Sequence, residues 1–379
     1  MTGSVLPFVL IAVLGGALPA FAQEGGSASK SNVAKQAAGG AQQRASLENK
    51  AATGGTWTPP KTKWGDPDLQ GVWPGTNMVG TPLERPVALG DRATLTEDEL
   101  SKKLEHAKKQ EEIDTAPFVS KDPLIARGDD FIACDQDPER CRNGVRIGPP
   151  NYWDEHGTPS TQASLVVDPP NGRIPPLTAE AQKTAASRIA ARRARPCSST
   201  TAGCHDSWED ESLWDRCISR GLVGSVVPST YNQGNQIVQT PGYVVFRNEM
   251  IHEARVIPLD NRPHLASGIR NWMGDSRGHW EGNTLVVETT NFRTGIPIGN
   301  TPTSDALRTI ERFALTDANT LQYQITVDDS KVWTRPWTIA FPLKRDSKYT
   351  LFEYACHEGN YYMYNALGGA RADEKDTVK

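Results

Sequence analysis

The chain has 379 residues, 37% hydrophobic and 23% charged, with 41 Lys and Arg against 45 Asp and Glu for a formal net charge of −4. That length suits about two domains and a sizeable core. The even charge balance argues against nucleic acid as a partner, the apolar fraction against wholesale disorder, and the lack of an internal apolar run against stable membrane insertion.

Residues 1–22 contain the apolar stretch VLPFVLIAVLGGALPAFA, which ends in Ala20-Phe21-Ala22, the small-x-small pattern of a signal-peptidase site. No Lys or Arg precedes it, and its glycines and prolines disfavour a membrane helix. An exported protein, periplasmic or secreted, is expected. Residues 23–56 are Gly, Ala, Ser, Gln and Lys with few large apolar side chains, and read as a disordered linker.

Residues 57–223 read as an irregular, helix-bearing segment packed on the β-rich part of the chain. LTEDELSKKLEHAKKQEEI, from Leu95, predicts an exposed helix with Thr96 and Glu99 as a capping box. Residues 116–176 are mostly loop. A second helix is expected over 178–195 and a short third one over 207–217.

Six cysteines in an oxidising compartment suggest disulfides. CDQDPERC and CSSTTAGC each close a short polar loop, giving Cys134–Cys141 and Cys197–Cys204, which leaves Cys217 with Cys356. The rival is a metal site, although neither pair has the C-x₂-C spacing of a zinc ribbon.

From Gly224 the period switches to two. QIVQT, YVVFRNEMIHEARVI, TLVVETTNF, RTIERFALT, TLQYQITVDD, VWTRPWTIAFPL and YTLFEYACHE read as strands. Turn signals such as Pro241-Gly242, Gly282-Asn283 and Ala318-Asn319 separate them. The expected fold is mainly β (α+β overall): an antiparallel meander over 224–366 curled into a lipocalin-like barrel or half-barrel, then a flexible tail over 367–379. Ten Trp suit a β-rich or ligand-stacking protein.

The strings DPDLQGVW, PPNGRIPPLTAEAQ, EMIHEARVIPLDNRPH, IRNWMGDSRGHWEGNTLVVETTNF and YACHEGNY resemble an uncharacterised family of secreted bacterial proteins, over roughly 64–361. That resemblance implies no activity. The triplet Gly71-x-Trp73 resembles the G-x-W that opens a lipocalin (calycin) barrel, and GHWEGNTLVV resembles a strand of such barrels.

Polar density peaks in three places. In EMIHEAR, alternation puts His252 on one face with Met250 and Ala254, and Glu253 and Arg255 on the other. His252 is a candidate general base because its proton exchanges near neutrality; otherwise it is a hydrogen-bonded core histidine. In WMGDSRGHWEGN, Asp275, Ser276 and Arg277 read as a turn bounded by glycines. There Asp275 and Arg277 would bind polar groups and Trp272 or Trp280 would stack on a ring; otherwise the turn feeds a hairpin and the tryptophans are core. At the end of the last expected strand, His357 and Glu358 follow Cys356 and either line a ligand site or form a hydrogen-bonded rim.

Two functional classes stay open. One is an enzyme performing acid–base chemistry (hydrolase, lyase or isomerase) on a small organic substrate, with His252, Asp275 and His357 catalytic and Arg255, Arg277, Trp272, Trp280 and Glu358 binding it. The other is a lipocalin-like ligand-binding protein. No cofactor is expected: Walker and Rossmann fingerprints are absent, no H-E-x-x-H occurs, and a metal triad with Asp275 or Glu288, or haem on His357, is a lesser alternative. His106, His205 and His279 read as surface positions.

Overall fold

Why the longest hairpin forms is visible in its alternation. Along Arg308–Asp317 and Thr320–Asp328, every second side chain (Thr309, Glu311, Phe313; Leu321, Tyr323, Ile325, Val327) turns to the buried face. The computed structural model describes residues 57–115, 154–194, 205–229 and 231–377. The expected signal peptide, the linker and the Cys134–Cys141 and Cys197–Cys204 pairs lie outside the described residues.

The described chain is mainly β, with twelve strands in antiparallel sheets and four helices. The strands are β1 (Gly71–Val72), β2 (Val166–Asp168), β3 (Asn235–Thr240), β4 (Tyr243–Asn248), β5 (Ala254–Pro258), β6 (Asp275–Glu281), β7 (Thr284–Thr290), β8 (Pro297–Ile298), β9 (Thr301–Pro302), β10 (Arg308–Asp317), β11 (Thr320–Asp328) and β12 (Trp337–Lys344). The helices are α1 (Glu97–Thr115), α2 (Ala179–Ala194), α3 (Gly221–Val226) and α4 (Tyr361–Thr377). One sheet has the order β1-β3-β4-β5 and the other β2-β12-β11-β10-β7-β6, with β8-β9 a separate hairpin.

The inner faces of the two larger sheets share one core. Phe246 of β4 packs on Phe313 of β10 with ring centroids 5.4 Å apart, and the stack continues through Tyr323 to Phe341. Trp73, Phe292 and Trp337 are also buried, so aromatic side chains fill the space between the sheets. Leu69, Trp73, Met78, Leu165 and Val166 belong to this core. The segment before residue 224 therefore supplies core and two short strands as well as helices.

At one side, Arg345 joins the sheets. Its guanidinium lies 4.4 Å from the centre of the Trp73 ring and donates to the Gln70 carbonyl at 3.1 Å. Gly71, at φ +140°, makes this possible, because a Cβ there would stand 3.1 Å from Arg345 Nη1. At the other side, β5 and β6 run past each other without a hydrogen-bonded ladder. They touch where Gly278 leaves room: a Cβ there would meet Leu259 at 2.7 Å and Ile257 at 2.9 Å.

The helices start where expected. Thr96 and Glu99 form the capping box of α1, and Arg92 clamps Glu99 with two 2.8 Å hydrogen bonds. Thr178 Oγ1 accepts from the Ala181 amide at the start of α2. The third expected helix is displaced: residues 208–210 form one 3-10 turn, and α3 begins only at Gly221.

Three strand expectations are corrected. YVVFRNEMIHEARVI is not one strand, because Ile251 and His252 take positive φ (56° and 45°) in a 3-10 turn between β4 and β5. Asn248 and Glu249 turn into buried hydrogen bonds there, which ends the ladder. Asp275, Ser276 and Arg277 are not a turn but the start of β6; the turn precedes them, closed by the Gly274 amide on the Asn271 carbonyl. YTLFEYACHE forms no strand. Its groups are taken by Glu249, which accepts from the Phe352 amide, and by the Cys217–Cys356 disulfide, which draws it toward residue 217. The expected flexible tail is largely helix α4.

Candidate functional site

Polar chemistry gathers at the β5–β6 seam. Where the strands diverge they leave a pocket of about 280 Å³, walled by residues 254–256 on one side and by Asn271 and residues 273–276 on the other. Beneath it, Arg255 points between the sheets and meets Glu311 from β10. Arg255 Nη1 and Nη2 donate to the two Glu311 oxygens at 2.5 and 2.9 Å, and the Tyr323 hydroxyl donates to the same carboxylate at 3.0 Å. Arg255 is 5% exposed and Glu311 0%. Burial disfavours the Arg255 charge, but Glu311 outweighs it and raises the guanidinium pKa; burial and Glu311 push the Tyr323 phenol well up.

Register aligns a hydroxyl row beside this pair. Ser276, Thr289 and Thr309 are cross-strand neighbours on the inward face, and Ser276 Oγ lies 2.9 Å from Thr289 Oγ1. Alternation turns Asp275 and Arg277 to the other face of β6, where Arg277 pairs in register with Glu288, itself bonded to Arg308 at 2.6 Å.

Asp275 is the centre of the outer group. Its Oδ2 accepts from His264 Nδ1 at 3.0 Å and from the Leu265 amide at 2.9 Å, and its Oδ1 accepts from Arg277 at 2.6 Å. Burial opposes ionisation of Asp275, but the Leu265 amide, His264 and Arg277 together hold its carboxyl below the usual range. With Nδ1–H committed to Asp275, the imidazole keeps Nε2 as the nitrogen with a free lone pair. Asp275 thus belongs both to a His–Asp pair and to the pocket wall.

The remaining expected site residues are placed elsewhere. His252 is exposed on its 3-10 turn, with Nδ1 3.2 Å from the Tyr354 carbonyl, and it does not line the pocket. His357 and Glu358 are exposed in the turn after Cys356. The segments carrying His252 and Cys356 do meet, through Tyr354, but not at the β5–β6 seam. Trp272 is half-buried under Arg293, and Trp280 packs against the core. Cys217 and Cys356 are bonded, with Cα atoms 5.8 Å apart. Among the described residues no group of three or more His, Cys, Asp or Glu could hold a metal ion, and no helix is long and apolar enough to cross a membrane.

Two residues of the site, Glu311 and His264, are not among those the sequence singles out. Glu311 is within reach of a sequence reading, because strict alternation in RTIERFALT places it on the apolar face between Thr309 and Phe313. His264 sits in a Pro-bearing loop without periodicity, and only the fold brings it back onto Asp275.

No family model, curated protein or solved structure matches the chain. Function is therefore inferred from this geometry alone.

Proposed function

We propose that this is an exported protein that performs acid–base chemistry on a small organic molecule held at the β5–β6 seam. The observation that carries the reading is Asp275, a residue of the pocket wall whose carboxylate orients His264. His264 Nε2 would take a proton from substrate or from an attacking water, Asp275 would stabilise the imidazolium, and Arg277 would keep Asp275 ionised. Hydrolysis, elimination and isomerisation all need such a base. The N-terminal apolar stretch and the Cys217–Cys356 disulfide support export.

The two sheets, joined by Arg345 on one side and abutting at Gly278 on the other, support a flattened half-barrel of the calycin kind. The carrier function that goes with such barrels has less support, since aromatic side chains occupy the space a ligand would need. The base role falls to His264 rather than His252 or His357, because of these three only His264 is held by the carboxylate of a pocket-wall residue. The test is hydrolysis of p-nitrophenyl acetate, an acyl probe small enough for the pocket, by the chain and by His264→Gln and Asp275→Asn. A loss of about 10²–10⁴-fold in His264→Gln is expected. Turnover undiminished in both variants would remove the assignment.

A further inference from the structure

Away from the seam, one hydroxyl lies between two carboxylates. Tyr349 Oη is 2.8 Å from Glu155 Oε1 and 2.7 Å from Glu249 Oε2. A phenol has one proton and can donate only once, so with both carboxylates ionised one of these contacts would join two acceptors. A second proton must lie in the group.

Its position follows from the other bonds. Glu249 is 1% exposed and already accepts from Asn232 Nδ2 at 3.2 Å, the Gly234 amide at 3.0 Å and the Phe352 amide at 2.9 Å, besides Tyr349. Four donors fill its lone pairs, leaving no room for a proton. Glu155 takes the Tyr349 hydroxyl, a long 3.4 Å approach from the Gln233 amide and a backbone contact from Asn232, and its Oε2 is buried with no hydrogen-bond partner among the described residues, so a proton has room there. Gly234 permits this crowding: a Cβ there would stand 2.5 Å from Glu249 Oε2 and 2.8 Å from the Tyr349 ring.

We propose that Glu155, Tyr349 and Glu249 form a proton-binding site, in which neutral Glu155 donates to Tyr349 Oη and Tyr349 donates to ionised Glu249, latching residues 349–355 onto the sheet. Three chain segments meet there: the one carrying Glu155, the turn after β4, and the strap between β12 and α4. Farther along, the strap is fixed again by the Tyr354 carbonyl on His252 and by Cys356 on Cys217. The charged and titratable groups facing Glu155 are Tyr349 from the strap and Glu249 from the turn after β4; Asp154 and Tyr231 lie nearby and influence each other.

Burial, aided by Glu249, raises the Glu155 carboxyl above its ordinary range against the hydrogen bonds that lower it. A carboxyl raised on folding stabilises the folded state below its unfolded value, and that contribution is lost as pH rises through the folded value. The latch therefore loosens toward alkaline pH, about tenfold for each unit above that value.

Two measurements on the intact, disulfide-bonded chain test this. Infrared spectra taken upward from about pH 4 should keep a protonated-carboxyl C=O band after ordinary carboxyls, near pH 4.3, have lost theirs. That band should vanish in Glu155→Gln. Hydrogen exchange over residues 349–355, corrected for its intrinsic pH dependence, should quicken with rising pH in the wild type. It should stay flat in Glu155→Gln, whose amide donates to Tyr349 at every pH. Absence of the band in the wild type would overturn the proposal even if the variant failed to fold. So would its survival in Glu155→Gln, or the same exchange profile in both proteins.

Discussion

Replacing Glu311 with Ala should be among the most damaging single changes in the core. The substitution removes both acceptors of Arg255 and the acceptor of the Tyr323 hydroxyl, where Arg255 is 5% exposed and water cannot take their place. Breaking one side of a buried ion pair costs about 3–5 kcal/mol, because the surviving charge is left uncompensated. Against a total stability of about 5–15 kcal/mol, that is a large fraction. The triple replacement Arg255→Met, Glu311→Leu, Tyr323→Phe removes all three polar partners together and should return the protein to within about 1–2 kcal/mol of wild type. Urea unfolding of the disulfide-intact protein, followed by tryptophan fluorescence, gives both numbers, with Trp333 and Trp337 reporting from the core. The uncompensated-charge account fails if Glu311→Ala costs less than about 1 kcal/mol, the range of an exposed pair. It also fails if the triple variant is less stable than Glu311→Ala alone.

Reducing the Cys217–Cys356 bond, which links residues 139 apart in sequence, should lower stability by on the order of 4–5 kcal/mol in the chain-entropy model; an unchanged urea midpoint in dithiothreitol would contradict this. Asp275→Asn should destabilise the protein in a pH-dependent way. Because the Asp275 carboxyl is held below its usual range, the wild-type advantage should be full above that range and shrink as pH falls through the folded value. A gap that widens on acidification would show that the carboxylate is not favoured by its partners.

Strands with strict two-residue alternation are legible in the sequence, because burying one face of a sheet imposes that period whatever the topology. β10 and β11 belong to this class, whereas β7 is legible from its apolar run Leu285-Val286-Val287, all buried; the turns before β7 and between β10 and β11 fall at Gly282-Asn283 and Ala318-Asn319 as expected. Elements whose conformation is decided by distant partners are not legible. β6 is hidden by its glycines, which read as turn signals, although Gly278 is there to admit Ile257 and Leu259. The strap around Phe352 and Tyr354 has a strand-like composition, but Glu249 and Cys217 hold it off the sheets. The candidate site divides in the same way. Asp275, Arg277 and Arg255 stand out as charges in apolar text, whereas His264 acquires meaning only from the loop that returns it to Asp275.

A sheet with a free margin invites another chain to pair along it. Of the four margins of the two larger sheets, β1 and β2 are two and three residues long, too short to template a partner. The longer β5 and β6 are turned toward each other, with Ile257 and Leu259 closed over Gly278. The seam thus doubles as a guard against self-association, each strand shielding the other's unpaired amides. The pocket lies where that guard is thinnest, so a guest that pried the strands farther apart would bare two aggregation-prone borders at once.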